Sequence, residues 1–126
     1  MVNFVEVIGR VGRDPEGKYT PNGSSVHSFS VATDRRWQDK SGEWKQETDW
    51  VAVSVWNKEW VGNGVHKGDL VRVIGRLQTR SYDKNGEKRY VTEVVAKEVR
   101  NLTTAVKGKE GRAEERAAEE GQDTPW

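Results

Sequence analysis

The sequence predicts an all-β fold, a small barrel of five strands with one short helix between the third and fourth strands. Two observations predict this fold: valine-rich segments alternate between apolar and polar residues, and explicit turn signals separate them. The turn signals are segments 21–23, 40–42, 67–69 and 83–86. The first and the last contain Asn-Gly, a pair that readily adopts the positive φ of tight hairpins. At 126 residues, the chain has room for one such domain.

Five segments qualify as strands because they alternate in polarity, are rich in valine and end at turn residues. In chain order they are segments 5–11, 24–33, 50–56, 70–82 and 91–99. Gly75 lies inside the fourth segment. A glycine there fits a strand that must bend sharply to close a small barrel.

The candidate helix is segment 58–66, between the third and fourth strands. Gly62 and Gly64 each disfavour a helix by roughly 1 kcal/mol relative to alanine, so we expect a single turn or a loop. Trp60, in the same segment, is expected to plug the bottom of the barrel. Five strands with one helix between the third and fourth are the arrangement of the OB-fold, a five-stranded Greek-key barrel.

The charge and the apolar pattern divide the chain into two parts. Residues 107–126 carry four basic and six acidic side chains, whereas residues 1–106 carry 17 basic and 14 acidic ones. The apolar pattern also stops near residue 103, so little remains to bury. We therefore expect a domain over residues 1–104 and a flexible, disordered acidic tail over residues 105–126. A basic body with an acidic end indicates a polyanionic ligand and a separate role for the tail.

Several classes of protein are disfavoured by what the sequence does not contain. It has no cysteine, and His27 and His66 stand apart, so no metal-ligand spacing is present. No nucleotide-binding or hydrolase motif occurs, and we expect neither enzymatic activity nor a cofactor. No apolar run reaches the ~18–20 residues of a membrane helix, and residues 1–7 resemble a first strand rather than an export signal. We expect a cytoplasmic protein.

The third strand carries two tryptophans on one face. Side chains alternate across a strand, so the valines of segment 50–56 share one face and form part of the core. Trp50 and Trp56 share the other face, about 20 Å apart along the strand. Only Ala52 and Ser54 lie between them, which leaves a flat surface on which bases can lie.

Basic residues accompany the aromatic ones. In the fourth strand Arg76, Arg80 and Tyr82 share one parity, and Trp37 ends the second strand beside Arg35. Trp44 is expected in the following loop, near Lys45. Aromatic rings interleaved with cations are typical of proteins that bind single-stranded nucleic acid, because every base can stack and every phosphate is negative. The candidate single-stranded-DNA interface comprises Trp37, Trp50, Trp56, Tyr82, Arg80, Arg76, Arg35 and Lys45.

Several segments of the sequence, in the right order, resemble the bacterial and phage single-stranded-DNA-binding protein family. They are segments 3–16, 19–23, 48–50, 73–82 and 90–96, and the resemblance spans about residues 3–102. It implies an OB domain that assembles as a homotetramer, around which single-stranded DNA wraps independently of its sequence. It also implies association with the nucleoid. The family's main stacking aromatics fall on Trp37, Trp50, Trp56 and Tyr82, and a basic contact position falls on Arg80.

The resemblance resumes at the extreme C-terminus. The family ends in an acidic run followed by Pro-Phe, and segment 119–126 is acidic and ends in Pro125 and Trp126. A free carboxylate beside a large aromatic side chain suits a basic pocket with an apolar floor. The resemblance therefore implies that Asp123, Thr124, Pro125 and Trp126 dock proteins of DNA replication, recombination and repair.

Two other functions remain open at this level. One is a primosome-type OB protein whose main task is assembly with a helicase or primase; proteins of that kind generally lack an acidic tail ending in proline and an aromatic. The other is an OB module that binds RNA or serves an enzyme as an accessory domain. The sequence shows no second domain for such an enzyme, but stacking surfaces do not distinguish RNA from DNA.

Overall fold

The computed structural model describes residues 1–103, which form a barrel of β-strands with one short helix. The strands are β1 (Val5–Val11), β2 (Glu16–Tyr19), β3 (Ser25–Gln38), β4 (Trp44–Trp56), β5 (Leu70–Lys84) and β6 (Glu87–Asn101). The helix α1 (Val61–Gly64) is a single turn between β4 and β5. The expected tail and its tip fall outside the described residues.

The strands lie in the order β1-β5-β6-β4-β3-β2, and a further pairing between β1 and β3 closes the sheet on itself. Five strands therefore form the barrel, and β2 extends the edge of β3. All pairings are antiparallel except that of β4 with β6. This arrangement confirms the predicted five-stranded barrel with one short helix. Strand β2 was not predicted, because all four of its residues are exposed and show no apolar alternation.

The core consists almost entirely of valine. Phe29 is its only buried aromatic residue among residues 1–103, and the valines of β3, β4 and β5 meet around it. The fully buried valines are Val31, Val53, Val55, Val61, Val65, Val71, Val73 and Val94. Side chains of this shape pack well on a pleated sheet, which explains how a chain with few large apolar residues closes a small barrel.

The residue that closes the bottom of the barrel differs from the prediction. Trp60 was expected there, but it is 45% exposed. Val61 and Val65 are fully buried and fill that position instead. Residues four apart lie on the same side of a helical turn, so Val61 and Val65 point into the barrel together. The same turn directs Trp60, the residue before Val61, away from the barrel.

Gly75 lies at an irregularity of the β5–β6 ladder and at a close approach of two backbones. Ile74 pairs with Glu98 but Gly75 pairs with Ala96, so Lys97 of β6 is an extra residue in the ladder. A Cβ atom at position 75 would lie 2.1 Å from the backbone oxygen of Val95. Because the extra residue belongs to β6, the alternation of β5 continues without a shift.

Two long hairpins extend from the barrel. β3 ends at Gln38 and β4 begins at Trp44, so both strands extend well beyond their predicted ends. Trp44 is therefore a strand residue rather than a loop residue. Both faces of these extensions are exposed and mostly polar, so they show no regular apolar alternation. In the β5–β6 hairpin, Asn85 and Gly86 both have positive φ, as the sequence predicts.

The turn of the β3–β4 hairpin is organised by one carboxylate. Asp39 accepts hydrogen bonds from the hydroxyl of Ser41 and from the backbone N–H groups of Ser41 and Glu43. The hydroxyl of Ser41, followed by these backbone donors, holds the pKa of Asp39 below its usual value.

In residues 1–103 we find no helix long and apolar enough to cross a membrane.

Candidate nucleic-acid interface

The face of the sheet opposite the valine core, which we call the outer face, carries the two tryptophans of β4. Val53 and Val55 point into the core, so alternation places Trp50 and Trp56 outside. Trp50 is 62% exposed and Trp56 is 43% exposed. Both rings are thus accessible from solvent, as the sequence analysis predicts.

The ring of Trp50 packs against the backbone of Gly12. A Cβ atom at Gly12 would lie 2.4 Å from Cζ3 of Trp50 and 3.0 Å from Oγ of Ser30. The indole therefore passes directly over the backbone of Gly12, beside Ser30. The absence of a side chain at position 12 leaves room for the ring in this position.

The outer face continues from β4 across β6 to β5. Ser54 of β4 pairs with Val95 of β6, which in turn pairs with Arg76 of β5. Residues directly opposite each other in a sheet share a face, so Arg76 lies on the same face as Trp50 and Trp56. Arg80 and Tyr82 follow at even spacing in β5, and they join this face as well.

Arg76 and Arg80, the arginines of β5 near Tyr82, differ in their partners. Nε of Arg80 lies 3.0 Å from Oε1 of Glu93, a carboxylate that is almost entirely buried. Nη1 of Arg76 donates to Oε1 of Gln78 at 2.7 Å, and Arg76 forms no salt bridge with any residue from 1 to 103. Arg76 is therefore the more available of the two cations for an external phosphate.

Three of the predicted interface residues lie on the opposite side of the β3–β4 hairpin, which we call the inner hairpin face. The β3–β4 ladder is regular, and Trp37 pairs with Lys45. Lys45 precedes Trp50 by five residues, an odd spacing that puts Trp37 and Lys45 on the other face. Arg35, two residues before Trp37, shares their side.

The charges on the inner hairpin face are compensated within the hairpin. Arg35 binds Glu47 and Asp49, each at 2.9 Å, and its guanidinium carbon lies 5.1 Å from the centre of the Trp37 ring. Nζ of Lys45 lies 3.6 Å from Glu43. The structure thus brings these residues together, but away from Trp50 and Trp56.

Trp44 and Arg36 occupy outer-face positions that the sequence analysis did not assign to the interface. Trp44 precedes Trp50 by six residues, and Arg36 pairs with Gln46 between them. The guanidinium carbon of Arg36 lies 5.4 Å from the centre of the Trp44 ring, and this ring is well exposed. Extending the alternation of Trp50 and Trp56 backwards along the sequence would have identified Trp44.

Arg10 is a further cation near Trp50. It pairs with Ala32 across the β1–β3 closure, and Ala32 pairs with Trp50, so the three residues form one row. Arg10 is exposed, and Nη1 donates to the backbone oxygen of Gly68 at 3.3 Å. No sequence pattern indicates this proximity, because it depends on the closure of the barrel.

These features suit a flexible polyanion with exposed ring systems. Exposed indoles and nearby arginines offer stacking surfaces and charge neutralisation. Of the two small residues between the indoles, Ala52 is exposed, but Ser54 is buried and adds no accessible surface. Within residues 1–103 no three carboxylate or imidazole side chains gather as they would around a metal ion.

Comparison with known proteins gives consistent results. The sequence profile of the single-strand binding protein family matches residues 2–102. The chain is 50% identical over 105 residues to single-stranded DNA-binding protein 3 of Clostridium acetobutylicum, covering 80% of this chain and 71% of that protein. It is 47% identical over 105 residues to the single-stranded DNA-binding protein of Halalkalibacterium halodurans, covering 81% of this chain and 61% of that protein.

A solved structure, the Plasmodium falciparum SSB complex with ssDNA, is similar with a TM-score of 0.74 and 31% sequence identity. The similarity covers 81% of this chain and 96% of that one.

Proposed function

The chain belongs to the single-strand binding protein family, and from this premise we propose that its outer face binds single-stranded DNA independently of sequence. The relatives are named for DNA binding rather than for an enzymatic activity. The proposed stacking residues are Trp50, Trp56 and Tyr82, and the proposed phosphate-binding residues are Arg76 and Arg80.

The observation that carries this proposal is the exposure of the β4 tryptophans on a face that also carries Arg76 and Arg80. A base stacked on such a ring contributes roughly 1–3 kcal/mol to binding, whatever the base. The arginines of β5 neutralise phosphates, so affinity should fall as salt concentration rises. Duplex DNA hides the faces of its bases and offers nothing to stack on these rings.

A fluorescence titration tests this mechanism. We expect poly(dT) to quench the intrinsic tryptophan fluorescence strongly, because stacked bases cover the indoles. An equal mass of duplex DNA should leave most of the emission unchanged. Comparable affinity for the two forms of DNA would exclude stacking as the basis of binding.

We assign Trp37, Arg35 and Lys45 to a second contact surface on the inner hairpin face. DNA bound to the outer face would reach them only by passing around the edge of the β3–β4 hairpin. This assignment is supported by the exposure of Trp37 and by the cations beside it. It also fits a long strand that wraps the protein rather than lying across one face.

We further propose that the chain assembles as a homotetramer through the outer face of β1 and of the part of β5 that precedes Arg76. Phe4 is exposed, and Ile8 and Ile74 are only partly buried, on a part of the sheet that lacks the tryptophans. The edge of β1 pairs with β3 only at Arg10 and Val11, and Gly9 packs against Ala32 of β3, which leaves Val5–Ile8 to pair with another copy. Light scattering should give the mass of four chains, and Ile74→Asp should lower it while circular dichroism remains that of a folded protein.

The tail is the proposed site of partner recruitment in replication, recombination and repair. Asp123, Thr124, Pro125 and Trp126 would dock partner proteins while the domain holds DNA, in the cytoplasm beside the nucleoid. Deleting residues 119–126 should leave oligo(dT) affinity intact and abolish the capture of a purified replication or repair partner. A loss of DNA affinity in this deletion would contradict the separation of the two roles.

A further inference from the structure

We propose that Trp60 is an additional base-stacking residue, where a bound DNA strand continues past Trp56 towards α1. This inference rests on the proposed function and extends the interface at the end of β4. The occupant is the same single strand of DNA that binds the outer face.

The structure of α1 leaves the ring of Trp60 in solvent without a role in the core. Val61 and Val65 already close the barrel, so the core does not require an indole at position 60. The ring rests on the backbone of Gly64, where a Cβ atom would lie 2.7 Å from Cε3. The backbone oxygen of Trp60 also accepts a hydrogen bond from the N–H of Gly64 at 2.6 Å. The indole is therefore supported from beneath and 45% exposed, as Trp50 is supported by Gly12.

The connection from Trp56 to Trp60 is short and fixed. Asn57 adopts a φ of 56° and turns the chain directly after Trp56. Its N–H donates to the backbone oxygen of Ser25 at 2.9 Å, and its side-chain oxygen accepts from the N–H of Ser25 at 3.1 Å. The two tryptophans are four positions apart in the sequence, so their Cα atoms lie at most ~14 Å apart. A strand that stacks on Trp56 can reach Trp60 within a few nucleotides.

Two exposed side chains of β2, those of Lys18 and Tyr19, lie near the end of β4. Lys18 pairs with Val26, which pairs with Trp56, so the lysine shares the row of Trp56. Lys18 is exposed and forms no salt bridge with the residues that the structure describes. Tyr19 is 73% exposed, and its hydroxyl donates to Oε1 of Glu59 at 3.4 Å, next to Trp60. Lys18 therefore supplies a cation in the row of Trp56, and Tyr19, on the other face of β2, supplies an aromatic ring beside the residue that precedes Trp60.

Photocrosslinking locates the contact directly. The full chain is bound to oligo(dT) in which iodouracil replaces scattered thymines, irradiated, and digested with trypsin. Cleavage after Lys58 and Lys67 releases peptide 59–67, in which Trp60 is the only tryptophan, whereas Trp50 and Trp56 remain in peptide 46–58. Crosslinks on both peptides support the proposal. Crosslinks on peptide 46–58 without any on peptide 59–67 overturn it and leave the proposed function intact.

Substitution measures the energetic effect. We expect Trp60→Ala to weaken binding of a long oligo(dT) about 5- to 10-fold by fluorescence anisotropy, and Trp60→Phe to retain most of the affinity. Tyr90→Ala serves as the matched control. It removes another exposed aromatic ring, which lies on the face of the β5–β6 hairpin opposite to Tyr82 and the outer face, and it should bind like the wild type.

The outcomes separate the two hypotheses. If the wild type itself fails to bind oligo(dT), the proposed function is wrong. If the wild type binds and Trp60→Ala binds equally well, only the role of Trp60 is excluded. A fall in the mass of Trp60→Ala by light scattering, with unchanged affinity per chain, would make the ring an assembly contact and also overturn the proposal.

Discussion

Trp50 lies over Gly12 on one side and faces solvent on the other, which is the arrangement that a base-stacking residue requires. We expect Trp50→Ala and Trp56→Ala each to weaken oligo(dT) binding by about 1–3 kcal/mol, because each removes one stacking surface. Neither ring belongs to the valine core, so both variants should remain folded by circular dichroism. If folded Trp50→Ala bound like the wild type, the assignment of the outer face would be wrong.

Gly12 offers a second test at the residue scale, because it acts through Trp50 rather than through DNA. In Gly12→Ala the new methyl group would occupy space now filled by Cζ3 of Trp50, so the indole must move from its position over residue 12. We expect about a 5-fold loss of oligo(dT) affinity, roughly 1 kcal/mol, together with a changed tryptophan emission spectrum in the free protein. Ser30→Ala removes the hydroxyl beside the Trp50 ring without adding volume. It should change neither the affinity for oligo(dT) nor the tryptophan emission spectrum.

Among the elements, the β3–β4 hairpin matters most, because its two faces present different charges. Arg35 is held by two carboxylates on the inner hairpin face, whereas Arg36 lies over Trp44 on the outer face without a carboxylate partner in residues 1–103. Pairs as exposed as those of Arg35 contribute little to stability, about 0–1 kcal/mol, but they reduce the positive charge available to a phosphate.

This difference predicts different salt dependences. Each phosphate contact on a single strand contributes about 0.7 to the slope of log affinity against log salt concentration. Arg36→Ala should reduce this slope by about that amount, while Arg35→Ala should change it much less. Titrations of oligo(dT) at several salt concentrations measure both slopes. An equal or greater effect of Arg35→Ala would show that the inner hairpin face carries the main path of DNA.

For the whole molecule, Asp69 ties the segment after α1 to the last residues of the barrel. Its carboxylate accepts hydrogen bonds from the backbone N–H of His66 and from the side chain of Asn101, both at 2.9 Å. Burial by itself would raise the pKa of Asp69, but these hydrogen bonds and the nearby imidazole of His66 hold it below its ordinary value of 3.8.

The lowered pKa of Asp69 has a defined consequence for stability. A carboxyl group with a lower pKa in the folded state stabilises the fold above its unfolded pKa, and this contribution disappears as the pH falls through the folded pKa. We expect Asp69→Asn to lower the free energy of unfolding at neutral pH by about 1–2 kcal/mol. The difference from the wild type should shrink below about pH 4. Urea denaturation at both pH values measures it, and a difference independent of pH would contradict this role of the charge.

The sequence by itself determined the barrel, its valine core and the outward direction of Trp50 and Trp56. These features depend on alternation along single strands and on turn residues, which are local properties that short segments specify. The special position of Gly75 and the Asn-Gly turn of the β5–β6 hairpin are also visible in the sequence, because glycine marks sites of close backbone approach and Asn-Gly readily adopts positive φ.

The tertiary structure alone decided which residues meet across strands. The hairpin arms are mostly polar, so it is the ladder that shows how far the strands extend, and it places Trp37 on the face opposite to Trp44 and Trp50. The proximity of Arg10 to Trp50 depends on the closure of β1 onto β3. The position of Trp60 depends on which side of a single helical turn faces the barrel, a choice made by the burial of Val61 and Val65 together. Register and closure join residues distant in sequence, and no periodicity within one segment encodes them.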